Sequence, residues 1–115
     1  MNGIRAVSTQ ELQQRLDRDS GLHLWNVQTN QYFTGELIPG SRRVPLDTVE
    51  HDTKNVSKNA EIVTYCGGPN CGQSTEAARK LMDLGYTNVR VFKEGLEGWK
   101  AAGNGTSRPE PAPAA

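Results

Sequence analysis

A small α/β domain, with a parallel sheet flanked by helices on both faces, is what this sequence predicts. Three observations predict it. Short apolar runs alternate with segments of helical period, the clearest run ends directly at a cysteine, and the next helical segment begins after a glycine-rich turn. The chain of 115 residues fits one domain, assigned here to residues 1–103, with a tail over 104–115.

Ser8 and Glu11 have capping-box spacing, and Val7 with Leu12 that of a hydrophobic staple, so a helix is predicted to start at Thr9. Leu12 and Leu16, one turn apart, then face the core. Leu22 to Val27 is predicted as a buried strand delivering Asn26 and Gln28 at its end. A turn and loop closed by Pro39 and Gly40 follow, then a short strand from Arg42 to Leu46 and a polar stretch through Ser57.

Glu61 to Tyr65 is rich in β-branched residues and leads straight into Cys66. After it, Ala77, Ala78, Leu81 and Leu84 line one helical face, with Ser74 as the predicted cap and Gly85 as the stop. Asn88 to Phe92 is a further strand, and Leu96 with Trp99 mark a last short helix. Trp25 and Trp99 are assigned to the interior. The tail GNGTSRPEPAPAA has almost nothing to bury, which predicts disorder after about residue 103.

Composition excludes several classes. Thirteen Lys and Arg balance thirteen Asp and Glu, which argues against a nucleic-acid partner. No stretch approaches the ~20 apolar residues of a membrane span, so a cytoplasmic chain without a membrane partner is expected. In that compartment Cys66 and Cys71 are expected to be thiols. His23 and His51 stand alone in different elements and no C-x-x-C pair exists, so neither a metal nor a cofactor is expected.

The chemistry lies in TYCGGPNCGQSTEAA. Gly67, Gly68 and Gly72 are expected to adopt positive φ and to turn their N–H groups inward, where the helix dipole adds positive charge. This cradle would stabilise an anion, and the Cys66 thiolate is the nearest one. Its pKa is expected below the free value of about 8.5, leaving Cys66 accessible and nucleophilic. The binding loop is Gly67, Gly68, Pro69, Asn70, Cys71, Gly72, Gln73 and Ser74.

With these residues in order, the chain resembles a single-domain rhodanese from about Val7 to Gly103. The resemblance is carried by LHLWNV, IPGS followed by RRVPL, EIVTYC, STEAARKLMDLGYTNV and EGLEGWKAAG. It implies a sulfurtransferase working by double displacement: Cys66, at the position of the family's catalytic cysteine, takes sulfane sulfur as a persulfide and passes it to a second nucleophile. The implied donor is a small sulfur donor such as thiosulfate, or a protein persulfide. The implied acceptor is cyanide or a thiol.

Three departures qualify what the resemblance implies. The loop from Cys66 to Ser74 is longer than in many single-domain sulfurtransferases, and residues 67–73 contain no Arg or Lys to hold an anionic donor. The family's frequent Asp-Val-Arg is Asn26-Val27-Gln28 here, where a neutral hydrogen bond could replace an ion pair. Arg42 and Arg43 could supply positive field, but strand alternation lets at most one reach the site; Arg42 is taken as the candidate, with Asn26 and Gln28, for a supporting role.

Cys71 is first a loop residue, and alternatively a resolving thiol whose disulfide with Cys66 releases the persulfide sulfur. Two other functions share the fold in outline. One is an inactive rhodanese homology domain with a binding or regulatory role. The other is a phosphatase or arsenate reductase, whose loop needs an arginine that this one lacks.

Overall fold

The computed structural model describes residues 4–18 and 21–108. Five parallel strands form one sheet in the order β1-β5-β4-β2-β3. These are β1 (Arg5–Ala6), β2 (His23–Asn26), β3 (Arg42–Arg43), β4 (Ile62–Tyr65) and β5 (Val89–Phe92). The helices are α1 (Thr9–Asp17), α2 (Val49–Asp52), α3 (Gln73–Asp83) and α4 (Gly95–Ala101), with a 3-10 turn at Leu46–Thr48 before α2.

Alternation along the strands divides the core into two layers. Trp25, Ile62, Val89 and Val91 pack on one face with Ala77, Ala78 and Leu81 of α3 and with Val49 of α2. Leu24, Val63, Tyr65 and Phe92 pack on the other with Leu12 of α1 and with Leu96 and Trp99 of α4. Both tryptophans are buried, Trp25 beneath α3's face and Trp99 with its indole N–H donated to the Gly105 carbonyl at 2.8 Å.

The start of α1 shows both halves of the capping box. Ser8 Oγ accepts from the Glu11 amide at 3.1 Å, and the Glu11 carboxylate accepts from the Ser8 amide. Gly85 ends α3 at φ +102°, a left-handed geometry that glycine adopts without strain.

Elsewhere the expectations need correction. Ser74 does not cap α3. Gly72 stands at the N-cap, and Ser74 lies inside the first turn, buried, with its carbonyl accepting from the Thr64 hydroxyl at 2.8 Å. Leu84 lies past the last turn of α3 and is exposed. The strand expected over 42–46 ends at Arg43, and the supposed polar stretch contains α2, whose Val49 is fully buried. The two-residue β1, not anticipated from the sequence, pairs with β5.

The predicted tail also begins too early. Residues 104–108 lie along the 34–37 segment: Ser107 and Leu37 exchange backbone hydrogen bonds at 2.8 Å, and the Thr106 hydroxyl donates to Glu36 at 2.6 Å. Arg108 donates to the Thr34 carbonyl at 3.0 Å. Polar backbone pairing and a single indole anchor hold this segment, so an apolar pattern could not reveal it. The rest of the predicted tail, 109–115, lies outside the described residues.

Candidate functional site

Cys66 follows β4, which lies between β2 and β5, so the cysteine stands at the carboxyl end of the sheet's interior. Parallel α/β sheets bind ligands at this end, where strands hand over to helix starts. The residues from Gly67 to Gly72 then lead into α3.

Cys66 and Cys71 are joined by a disulfide, with Cα atoms 6.4 Å apart. This overturns the expectation of two free thiols. It also places Cys71, taken first as a plain loop residue, on the sulfur it follows. A tight turn causes the encounter: the Cys71 amide donates to the Gly68 carbonyl at 3.1 Å, with Pro69 at the second position, where its fixed φ favours such a turn. Cys66 is 1% exposed, contrary to the accessible nucleophile expected, whereas Cys71 is half-buried at the surface above it.

The glycines act differently from the expectation. Gly67, Gly68 and Gly72 do not take positive φ; Gly72 sits at −85°. Positive φ is used across the loop, at Gly95 (+63°), where a Cβ would lie 2.5 Å from the Cys66 carbonyl oxygen and 2.7 Å from the Gly68 nitrogen. This close approach lets the first amides of α4 bind the loop. Leu96 donates to the Cys66 carbonyl at 3.0 Å and Glu97 to the Gly67 carbonyl at 2.9 Å.

A cavity of about 510 Å³ opens beside the disulfide, lined by Gln28, Tyr32, Gly67, Asn70, Cys71, Gly72, Gln73 and Glu76. Its floor rests on a neutral pair where the rhodanese pattern often has an ion pair. Asn26, fully buried, donates from Nδ2 to Gln28 Oε1 at 3.0 Å, and its Oδ1 accepts the Gln28 amide at 3.0 Å. Gln28 Nε2 in turn reaches the Tyr32 carbonyl at 3.2 Å. Gln73, the first residue of α3, accepts from the Thr29 amide at 3.3 Å and donates to the Thr29 hydroxyl at 3.1 Å, joining the two walls.

Of the expected binding residues, Gly67, Asn70, Cys71, Gly72, Gln73 and Gln28 line the cavity; Gly68, Pro69 and Ser74 shape the loop or helix start without lining it. Arg42 is misplaced in the expectation. It leans toward α2 and donates to the Asp52 carbonyl at 3.3 Å, because alternation sends it to the face opposite Arg43. Arg43 donates to the Gln28 carbonyl at 2.5 Å and to Asn30 at 3.1 Å, and stacks over Phe33. It braces the wall from behind.

Two wall residues escaped the sequence reading. Tyr32 sits in the turn after Gln28, and Glu76 stands one turn into α3; among the described residues Glu76 is the one charged side chain lining the cavity. The i, i+3 spacing from Gln73 to Glu76 was the available signal. Just before Cys66, the Tyr65 hydroxyl accepts the Ile38 amide at 3.0 Å and bonds with the Ser41 hydroxyl at 2.7 Å. Burial pushes the Tyr65 phenol above its ordinary value, and those hydrogen bonds oppose the shift in part.

A rhodanese-like domain model matches residues 8–102. The chain belongs to the rhodanese-like domain family. Among curated relatives, this rhodanese-like domain is 30% identical over 90 residues to the adenylyltransferase and sulfurtransferase UBA4 of Meyerozyma guilliermondii, covering 71% of this chain and 21% of that protein. It is 27% identical over 99 residues to the HTH-type transcriptional regulator Rv0324 of Mycobacterium tuberculosis, covering 85% of this chain and 42% of that one. The rhodanese-like domain thus spans less than half the length of either relative. Among solved structures, the BH2092 protein of Bacillus halodurans superimposes with a TM-score of 0.83 at 26% identity, over 96% of this chain and 82% of that one.

Proposed function

We propose that this rhodanese-like domain is a sulfurtransferase that carries sulfane sulfur as a persulfide on Cys66. The observation that carries the reading is the position of that cysteine: at the end of an interior strand, beneath a turn that opens onto a cavity and leads into α3. The printed name of the UBA4 relative, a sulfurtransferase, supports it. Once the disulfide is reduced, Cys66 attacks the sulfane sulfur of a donor, the donor leaves as its thiolate or as sulfite, and a thiol or other nucleophile then takes the sulfur from Cys66.

The cavity wall favours one donor class. Gln28, Asn70 and Gln73 offer neutral polar groups, while Glu76 opposes a dianion such as thiosulfate. A protein persulfide, or a small persulfide without excess negative charge, is therefore the better substrate. Intact-mass analysis of the reduced protein after exposure to thiosulfate, glutathione persulfide or a cysteine desulfurase with its substrate tests this. One added sulfur in the wild type and none in Cys66→Ala is the expected result.

The burial of Cys66 in the oxidised form favours a second reading, a rhodanese homology domain that binds or regulates another protein. Failure of the fully reduced protein to take sulfur from all three donors would select it. A phosphatase or arsenate reductase reading has no support in a cavity that, among the described residues, is lined by Glu76 and no arginine.

A further inference from the structure

We propose that Cys71 is a resolving thiol, so that sulfur loaded on Cys66 is discharged as hydrosulfide and the domain works as a dithiol-dependent persulfide reductase. The inference rests on the persulfide reading above and goes beyond it, because it names the second nucleophile and the product.

The bond between the two sulfurs carries the argument. Cys71 reaches Cys66 Sγ itself, the atom that becomes the inner sulfur of a persulfide. The Cα separation of 6.4 Å lies within the ordinary range for disulfides, and the Gly68–Cys71 turn supplies the approach from only five residues away. The two ends of the turn are held differently. The carbonyls of Cys66 and Gly67 are fastened to α4 by the Leu96 and Glu97 amides, so the sulfur carrier is fixed. Pro69 and Asn70 are exposed, and Cys71 borders the cavity, which leaves the attacking side room to withdraw while Cys66 takes up sulfur.

The step balances within the protein. A donor persulfide transfers its sulfane sulfur to the Cys66 thiolate and leaves as a thiol. The Cys71 thiolate then forms the Sγ–Sγ bond with its own electron pair, and the bond from Cys66 Sγ to the terminal sulfur breaks. The terminal sulfur departs with that pair as hydrosulfide. Sulfane sulfur is reduced to sulfide, and two cysteine thiols are oxidised to the disulfide present in the structure. A protein or small-molecule dithiol closes the cycle by attacking the disulfide, giving two cysteine thiols and its own disulfide. Cys71 lines the cavity and Cys66 is buried, so that attack falls on Cys71 and frees Cys66 as the leaving thiolate.

The test uses the reduced full chain, one equivalent of glutathione persulfide, rapid desalting, intact mass and sulfide determination, for wild type, Cys71→Ser and Cys66→Ala. Wild type is expected to end two hydrogens lighter than its dithiol form, with one sulfide released per chain above the Cys66→Ala background. Cys71→Ser is expected to keep one added sulfur until a thiol is supplied. If the wild type retains its added sulfur as long as Cys71→Ser does, the resolving role is overturned while the sulfurtransferase reading stands. If Cys71→Ser carries glutathione instead of sulfur, or nothing, and neither it nor the reduced wild type takes sulfur from thiosulfate or the cysteine desulfurase, the persulfide reading falls and the resolving role with it. Circular dichroism against the reduced wild type checks the fold, and Cys71→Ala repeats the measurement should serine perturb it.

Discussion

Gly95 and Cys66 meet backbone to backbone: a Cβ on Gly95 would stand 2.5 Å from the Cys66 carbonyl oxygen, a distance no side chain can occupy. The contact lets α4 start against the cysteine loop, where the Leu96 and Glu97 amides donate to the Cys66 and Gly67 carbonyls. Gly95→Ala is expected to cost about 2 kcal/mol or more, from the left-handed φ of +63° and the displaced carbonyl together. Urea denaturation of the reduced protein measures it. A change under about 0.5 kcal/mol would show that the loop yields freely and that α4 does not fix Cys66.

Glu76 places a carboxylate at the wall of the cavity beside Cys71. Glu76→Gln is expected to raise the rate of sulfur loading from thiosulfate about two- to fivefold at low salt, the size of one exposed charge interaction. The same substitution should speed loading from cysteamine persulfide less, because that donor's ammonium offsets its persulfide anion. Both effects should shrink at about 0.5 M salt, where exposed charges are screened beyond a few ångströms. Equal effects on the two donors would remove electrostatics as the cause.

Much of this architecture was legible because local signals agreed with one another. Ser8 and Glu11 fixed the start of α1, β-branched residues marked β4, and Gly85 ended α3. The site was legible as a position, Cys66 between strand and helix, but not as a conformation. Glycines in the loop suggested positive φ there, whereas the positive φ that matters belongs to Gly95, which is close in space and distant in sequence. Spacing brought Cys66 and Cys71 near each other; only the hydrogen bond from the Cys71 amide to Gly68 brings their sulfurs together. The Asn26–Gln28 pair was foreseeable as a neutral substitute, while the side that Arg42 takes depended on the register of β3 against β2.

Tyr65 gives the fold an alkaline limit. Burial raises its pKa above the ordinary 10.0, so the folded state keeps a phenol proton that the unfolded chain releases. Its contribution is fully present below that unfolded value and is lost as pH rises from there through the higher folded value. Urea midpoints should therefore decline above about pH 10 in the wild type. Tyr65→Phe should flatten this part of the profile. It should also lower stability at neutral pH by about 1–3 kcal/mol, because the buried Ile38 amide loses its acceptor. An unchanged alkaline slope in Tyr65→Phe would assign the decline to other groups.

Glu36 ties the 104–108 segment to the domain and gives it the opposite pH dependence. The Thr106 hydroxyl and Lys100 ammonium both donate to its carboxylate, and with Arg108 nearby they hold its pKa below the usual 4.5. The folded state therefore favours the ionised form; this stabilisation is present above the unfolded pKa and is lost as pH falls through the lower folded value. Amide exchange at Leu37 and Ser107, whose N–H groups pair the two segments, should quicken relative to the core on acidification. Glu36→Gln should show that faster relative exchange already at neutral pH and little further change in acid. Removing residues 104–115 should lower the urea midpoint, since the Trp99 indole N–H loses the Gly105 carbonyl and the Leu37 backbone loses both partners. An unaltered midpoint after truncation would mean that the segment lies on the domain without stabilising it.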